Sequence, residues 1–316
     1  MGHLTVAVVG GGPWGLALAT AARRTGCEVV VTTRRPLAPS STGILVTGDL
    51  SVVGGAELIL LLVPSNVARG VAVSLLPYLR HDHIIVHSSR GLVGSALRTI
   101  SEVFCQETPI TKVGVVGGPA LASEILADDP SVVVCGATDD DVASTMVRAF
   151  KTSRLRVYTT NDVSGVEWAS ALVGCMTVVV GYAQGIGLRA GVIAALITRC
   201  MKETAEFVVS GGGKARTTFG LAGMGDLLAA ASQPDRPEVL LGAALARGLP
   251  ISAAAQTVRS RIEAVELVPR LLSWASLREL RVPILSAIGT DIFAGRPAER
   301  IIEELMSLPV QDTGAA

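Results

Sequence analysis

Apolar and polar positions alternate along the first half of the chain in short blocks. Leu4 to Val9 is an apolar run, Trp14 to Thr25 has helical spacing and Glu28 to Thr32 is rich in β-branched residues. That is the rhythm of a strand, a crossover helix and a second parallel strand. Buried-strand candidates follow at Leu58 to Val63, Ile84 to His87, Val113 to Val116, Val132 to Cys135 and Arg156 to Tyr158. Helix-capable segments such as Val67 to Arg80 and Asp140 to Thr152 lie between them. After Asp162 the strand signals stop. Ala- and Leu-rich stretches with helical spacing take over, broken at Gly211 to Gly213, Gln233 to Pro237, Gly248 to Pro250 and Pro283. The pattern predicts an α/β fold, with a doubly wound domain over residues 1–160 and an all-helical domain over residues 161–316.

Composition agrees with that reading. Hydrophobic residues make up 49% of the chain but aromatic ones only 3%, so the interior is filled by Ala, Val, Leu, Ile and Gly, as in parallel sheets and close-packed helices. The 27 basic residues equal the 27 acidic ones, leaving no net field to draw the chain onto nucleic acid or an anionic membrane. The five cysteines are scattered without C-x-x-C spacing, which fits reduced thiols. With no leader-like segment before Leu4, this predicts a cytoplasmic protein. Trp168 to Leu188 carries no charge and is long enough to span a bilayer. Its glycines, with Ser170, Thr177 and Gln184, suit tight packing between protein surfaces better than contact with lipid.

Chemistry enters at the first turn. Gly10, Gly12 and Gly15 stand in G-x-G-x-x-G spacing, with Pro13 and Trp14 between them, directly after a strand and before a helix. In that context the first glycine permits the tight turn, the second lets backbone approach a pyrophosphate and the third lets helix and strand pack closely, the mark of a Rossmann-type dinucleotide site. The second strand runs into Arg34 and Arg35, where NAD-selective sites carry Asp or Glu for the ribose hydroxyls. Arginine suits the 2′-phosphate of NADP, so the expected cofactor is NADP in preference to NAD; two solvated surface arginines are the plainer reading.

From Gly10 to Ala19 the sequence resembles the NAD(P)-dependent glycerol-3-phosphate dehydrogenases, whose fingerprint is Gly-x-Gly-x-Trp-Gly-x-Ala-Leu-Ala. The resemblance continues through Val63-Pro64-Ser65, Ser89-Arg90-Gly91-Leu92, Gly118 to Glu124, Asp162 to Glu167, Leu221 to Leu227 and the spacing from Glu263 through Pro283-Ile284 to Met306. The stretch from Ser40 to Thr47 looks shortened. The resemblance implies a dinucleotide-binding first domain whose cofactor residues include Pro64 and Ala122, a helical second domain, a homodimer, and hydride transfer to the carbonyl of dihydroxyacetone phosphate. It also implies a Lys-Asn pair where Val173 and Gly174 stand, a Gly-x-Asn-x-Lys segment where Ala190-Gly191-Val192-Ile193 stands, and a phosphate-binding Ser-Arg-Asn that falls on Arg236-Pro237-Glu238. Its Ser-Lys-Gly lysine becomes Arg90, which keeps the charge but changes the hydrogen-bond geometry.

The family's catalytic apparatus is thereby mostly replaced. Asp226, in the Gly-Met-Gly-Asp turn, matches the family's catalytic-site aspartate and reads equally as a helix N-cap. Arg90 reads as a ligand contact or as the cap of a strand-end loop. Glu167 and Glu263 are expected to be structural, Lys202 to form a solvated pair with Glu203, and Arg189, Tyr182 and Gln184 to be minor donor candidates. His81, His83 and His87 lack metal spacing and read as surface or packing residues. With Val173 in place of lysine, Asp226 is expected to lose a neighbouring cation and, if buried, to take a proton more readily than in the family. Three functions remain open: an NADPH-preferring reductase of a carbonyl or imine other than dihydroxyacetone phosphate, a glycerol-3-phosphate dehydrogenase with displaced catalytic groups, and a non-catalytic dinucleotide sensor or partner subunit.

Overall fold

A computed structural model of the chain describes residues 3–34, 43–152, 154–258 and 260–296. Two compact units are present, Met1–Val173 with Thr204–Ala229, and Gly174–Glu203 with Ala230–Ala316.

The first unit is built on eight strands: β1 (Thr5–Val9), β2 (Glu28–Thr32), β3 (Leu45–Thr47), β4 (Leu58–Leu61), β5 (Ile84–His87), β6 (Lys112–Gly117), β7 (Ser131–Ala137) and β8 (Leu155–Thr160). Their order is β3-β2-β1-β4-β5-β6-β7-β8, and every neighbouring pair is parallel except β6 with β7. The alternation of side chains along a strand assigns the faces. Val6 and Val8 of β1 join a core cluster with Ala17, Leu18 and Ala21 of α1 (Pro13–Arg24) and with Val142, Met146 and Phe150 of α5 (Asp140–Phe150). Ala7 and Val9 point the other way, into a cluster with Ala68, Ala72 and Leu75 of α2 (Ser65–Leu75) and with Ile100 and Phe104 of α3 (Ile100–Glu107). Helices on both faces make the sheet doubly wound, and its central strands are mostly apolar because neither face meets water.

The β5 limits agree with the hydrophobic pattern. By contrast, β3 was not anticipated: three residues are too few to show a period, and the strand exists through parallel pairing with β2, Val31 opposite Val46. Nor was the reversal at β7, since alternation fixes which face a side chain takes but not the direction of the strand. The short helix α4 (Ala122–Ala127) lies between β6 and β7.

Beyond β8 the described elements are helical. They are α6 (Val163–Gly185), α7 (Ala190–Ser210), α8 (Ala215–Thr218), α9 (Asp226–Ala231), α10 (Pro237–Ala246), α11 (Ile251–Thr257), α12 (Ala264–Ser276) and α13 (Pro283–Ser286), with π-helical turns at Leu221–Gly225 and Ala287–Ile292. Helix α6 is long and apolar enough to cross a membrane, but 89% of its most apolar window is buried within the protein. Within the second unit its glycines permit backbone-to-backbone packing on α10. A Cβ added to Gly181 would lie 2.4 Å from the Val239 carbonyl oxygen, and one on Gly242 would lie 2.1 Å from that of Val178. Lys202 is exposed, but Glu203 is not its solvated partner. Glu203 is buried, and its carboxylate accepts the Ile284 and Leu285 amides at 2.5 and 3.0 Å, satisfying donors at the start of α13.

Candidate active site

The turn after β1 is set by contacts that exclude side chains. Gly10 takes φ +127°, and a Cβ there would lie 2.2 Å from the Leu62 carbonyl oxygen at the end of β4. A Cβ on Gly15 would lie 1.9 Å from the Gly10 carbonyl oxygen, so the helix meets the turn only because Gly15 has none. Gly12 differs. It is exposed, nothing among the described residues beyond its chain neighbours stands within 4 Å of its Cβ position, and its missing side chain leaves the mouth of α1 open. Gly12 is also the N-cap of α1, and Pro13 occupies the first turn, so the cap residue offers the α1 amides no side-chain acceptor. Such a helix mouth, beside the point where the strand order reverses between β1 and β4, accommodates the pyrophosphate of a dinucleotide.

Other expected cofactor residues lie in the same unit. Pro64 is exposed and caps α2 just beyond β4, Ala122 opens α4, and Arg34 is exposed two residues after β2. Arg35 lies outside the described residues. Trp14 donates its indole N–H to Ser88 Oγ at 3.1 Å, and Ser88 Oγ in turn donates to the Val116 carbonyl at 2.9 Å.

That contact leads to the charged centre of the unit. Beyond β5, Ser89 Oγ donates to the Val63 carbonyl at 2.7 Å, and the Arg90 guanidinium meets the Asp226 carboxylate, Nη1 to Oδ2 at 3.0 Å and Nη2 to Oδ1 at 3.3 Å. Asp226 is fully buried, whereas the Arg90 side chain is 31% exposed. The Nη2 hydrogen bond, with the ionic approach of Nη1, ties the guanidinium to the buried carboxylate. One expectation is corrected here. Asp226 is not an N-cap, because its φ of −68° and ψ of −39° continue the helical path from the π turn into α9. Beside it stands the cation of Arg90, brought from a strand end 136 residues earlier in sequence.

Where the resemblance implies a Lys-Asn pair, the positions carry no polar side chain. Val173 is fully buried on α6, and among the described residues no atom outside the local helix backbone stands within 4 Å of a Cβ built on Gly174. In the second unit Arg236 is buried and its Nε lies 3.4 Å from Glu238 Oε2. Tyr182 is buried, Gln184 donates to the Ala231 carbonyl at 2.8 Å, and Arg189 is exposed. Glu167 is structural in a specific way: with 3% of its surface exposed, it pairs with buried His87 at 2.8 Å. His81 is exposed. His83 is buried, accepts the Arg80 amide at Nδ1, and is held below the ordinary imidazole pKa by burial and by the Arg80 charge. Sequence reasoning missed Ser88 and Ser101 and had Ser89 only as part of the Ser89-Arg90-Gly91-Leu92 motif. Adjacent serines at a strand's carboxyl end were the available signal.

Comparison with known proteins gives one family for both halves. Residues 36–143 match the family model described as NAD-dependent glycerol-3-phosphate dehydrogenase N-terminus, and residues 162–303 match the corresponding C-terminus model. The chain is 31% identical to the glycerol-3-phosphate dehydrogenase [NAD(P)+] of Halorhodospira halophila and 32% identical to that of Moorella thermoacetica, covering 96% of each chain in both comparisons. It is also similar to the crystal structure of glycerol-3-phosphate dehydrogenase from Coxiella burnetii, with a TM-score of 0.88 and 25% identity over 96% of this chain and 99% of that one.

Proposed function

The chain belongs to the NAD-dependent glycerol-3-phosphate dehydrogenase family, as an NAD(P)-dependent oxidoreductase acting on a CH–OH group. On that premise we propose that it prefers NADPH and reduces a carbonyl or imine other than dihydroxyacetone phosphate. The observation that carries the substrate reading is Val173: where the resemblance implies a lysine, a fully buried valine stands that neither donates nor protonates. When bound, the reduced nicotinamide supplies a hydride to an electrophilic carbon. Arg90 meets the charge that forms on the substrate heteroatom, and Asp226 holds the guanidinium in place for it. Gly10, Gly12, Pro13, Trp14, Gly15, Pro64 and Ala122 hold the dinucleotide. Arg34, with Arg35 beside it in sequence, selects the 2′-phosphate, since no carboxylate follows β2 to take the ribose hydroxyls. The helical half, residues 161–316, is assigned substrate recognition and the contact of a cytoplasmic homodimer.

The relatives' shared name over nearly the whole chain favours a second reading, ordinary glycerol-3-phosphate dehydrogenase activity with displaced groups. Calorimetric titration with NADPH and NADH, followed by dihydroxyacetone phosphate in the same cell, separates the two. Tight NADPH binding, no oxidation with dihydroxyacetone phosphate and turnover on a member of a panel of aldehydes, ketones, imines and keto acids is the expected result. Rapid oxidation with dihydroxyacetone phosphate overturns it. Binding without turnover on any compound identifies a sensor.

A further inference from the structure

The segment His87-Ser88-Ser89-Arg90 leaves the end of β5 with each residue tied to a different part of the first unit. Ser88 bonds to Trp14 of α1 and to Val116 of β6, Ser89 to Val63 beyond β4, and Arg90 to Asp226. His87 is the least accessible of the four, with 1% of its surface exposed. Its Nδ1 lies 3.3 Å from the Ser89 amide nitrogen, and a backbone N–H can only donate, so Nδ1 is the bare nitrogen of the ring. The ring proton is therefore on Nε2, which donates to Glu167 Oε1 at 2.8 Å, with Ser101 Oγ 3.4 Å from the same nitrogen. The same Glu167 oxygen accepts the Ser101 amide at 2.9 Å, one of the first-turn donors of α3. The carboxylate thus reads a helix start and a histidine tautomer at once.

We infer that His87 is a positioning residue for Arg90: Glu167 fixes the imidazole with Nε2 protonated, and Nδ1 then holds the Ser89 amide and, through it, the backbone from which the Arg90 guanidinium reaches Asp226. The contact of interest is the one with Ser89, not the burial of the histidine or its pairing with Glu167. The inference rests on Arg90 acting in the reaction as proposed above, but its first readout does not need a substrate.

Two substitutions pull the roles apart. His87→Gln keeps a donor that reaches Glu167 and loses the acceptor at the Nδ1 position. His87→Asn does the reverse, because its side-chain oxygen accepts the amide two residues on, as Asn does in turns, while its short side chain falls away from Glu167. Proton–nitrogen NMR of the full-length protein follows Ser89 amide exchange and the order of the Arg90 Nε–H group. In the Gln variant the Ser89 amide is expected to exchange about fivefold faster or more, the effect of losing one ordinary hydrogen bond, and the Arg90 signal to become mobile. The Asn variant is expected to keep both at wild-type values while melting at a lower temperature than the Gln variant. A purely structural role for His87 predicts that the Ser89 and Arg90 signals change in the Asn variant and stay at wild-type values in the Gln variant. An Arg90 signal as rigid in the Gln variant as in wild type overturns the inference, and that arm decides alone if the Asn variant does not fold. Turnover on the panel substrate, with NADPH affinity as the control, should then fall in the Gln variant and persist in the Asn variant. If no substrate turns over in wild type, the functional reading fails while the NMR outcome still decides the role of His87.

Discussion

At the turn after β1, backbone atoms stand 2.2 Å from the Cβ position of Gly10 and 1.9 Å from that of Gly15, so the local structure admits one residue type at each place. Around Val173 on α6 the helix is continuous and the residue is buried, and nothing in the backbone requires valine. The first region is fixed by main-chain geometry, which any protein with this strand–turn–helix path must share. The second is fixed by side-chain chemistry, which can be exchanged without altering the helix that carries it. A family fold with a dinucleotide turn can therefore keep its cofactor half and change what it acts on.

The largest expected effect comes from attacking the backbone-determined region. Gly15→Val forces a branched side chain against the Gly10 carbonyl and is expected to cost about 3 kcal/mol of stability and to remove NADPH binding. Thermal melting and calorimetry check both, and a variant that still binds NADPH normally would break the comparison on that side. Next, Arg90→Met leaves Asp226 buried without this cation. Turnover on the panel substrate is expected to drop about 10²- to 10⁴-fold with little change in NADPH affinity. Asp226→Asn tests the same pair from its buried end, and full turnover in that variant would remove Asp226 from the mechanism.

The side-chain-determined region is tested by reversing it. Val173→Lys combined with Gly174→Asn restores the pair that the family resemblance implies. The double variant is expected to melt lower, because a lysine is placed at a fully buried position, and to raise NADPH oxidation with dihydroxyacetone phosphate about tenfold or more. No gain would mean that the Val173–Gly174 pair does not decide activity on dihydroxyacetone phosphate. Arg34→Ser is the mildest test. NADPH affinity should weaken about tenfold, the equivalent of one charge-assisted hydrogen bond, with NADH affinity unchanged. Equal weakening of both would show that the exposed arginine serves general attraction to the cofactor.

From the sequence alone came the strand–helix alternation, the doubly wound class, the change to helices after residue 160 and the glycine turn. Each follows from rules that act over a few residues: side-chain period, the excluded Cβ and the helix start. The same local rules left Asp226 equally a cap or a functional group, and placed His87 among surface or packing residues. Only the folded chain shows their partners, because the Arg90–Asp226 contact joins positions 136 residues apart and the His87–Glu167 contact joins positions 80 apart. The antiparallel turn of β7 and the three-residue β3 belong with them, since each exists through a neighbour that sequence proximity does not supply. Local sterics are written in consecutive residues. The partner of a buried charge is set by which strand ends and helix faces the sheet order brings together, and that order is a property of the whole fold.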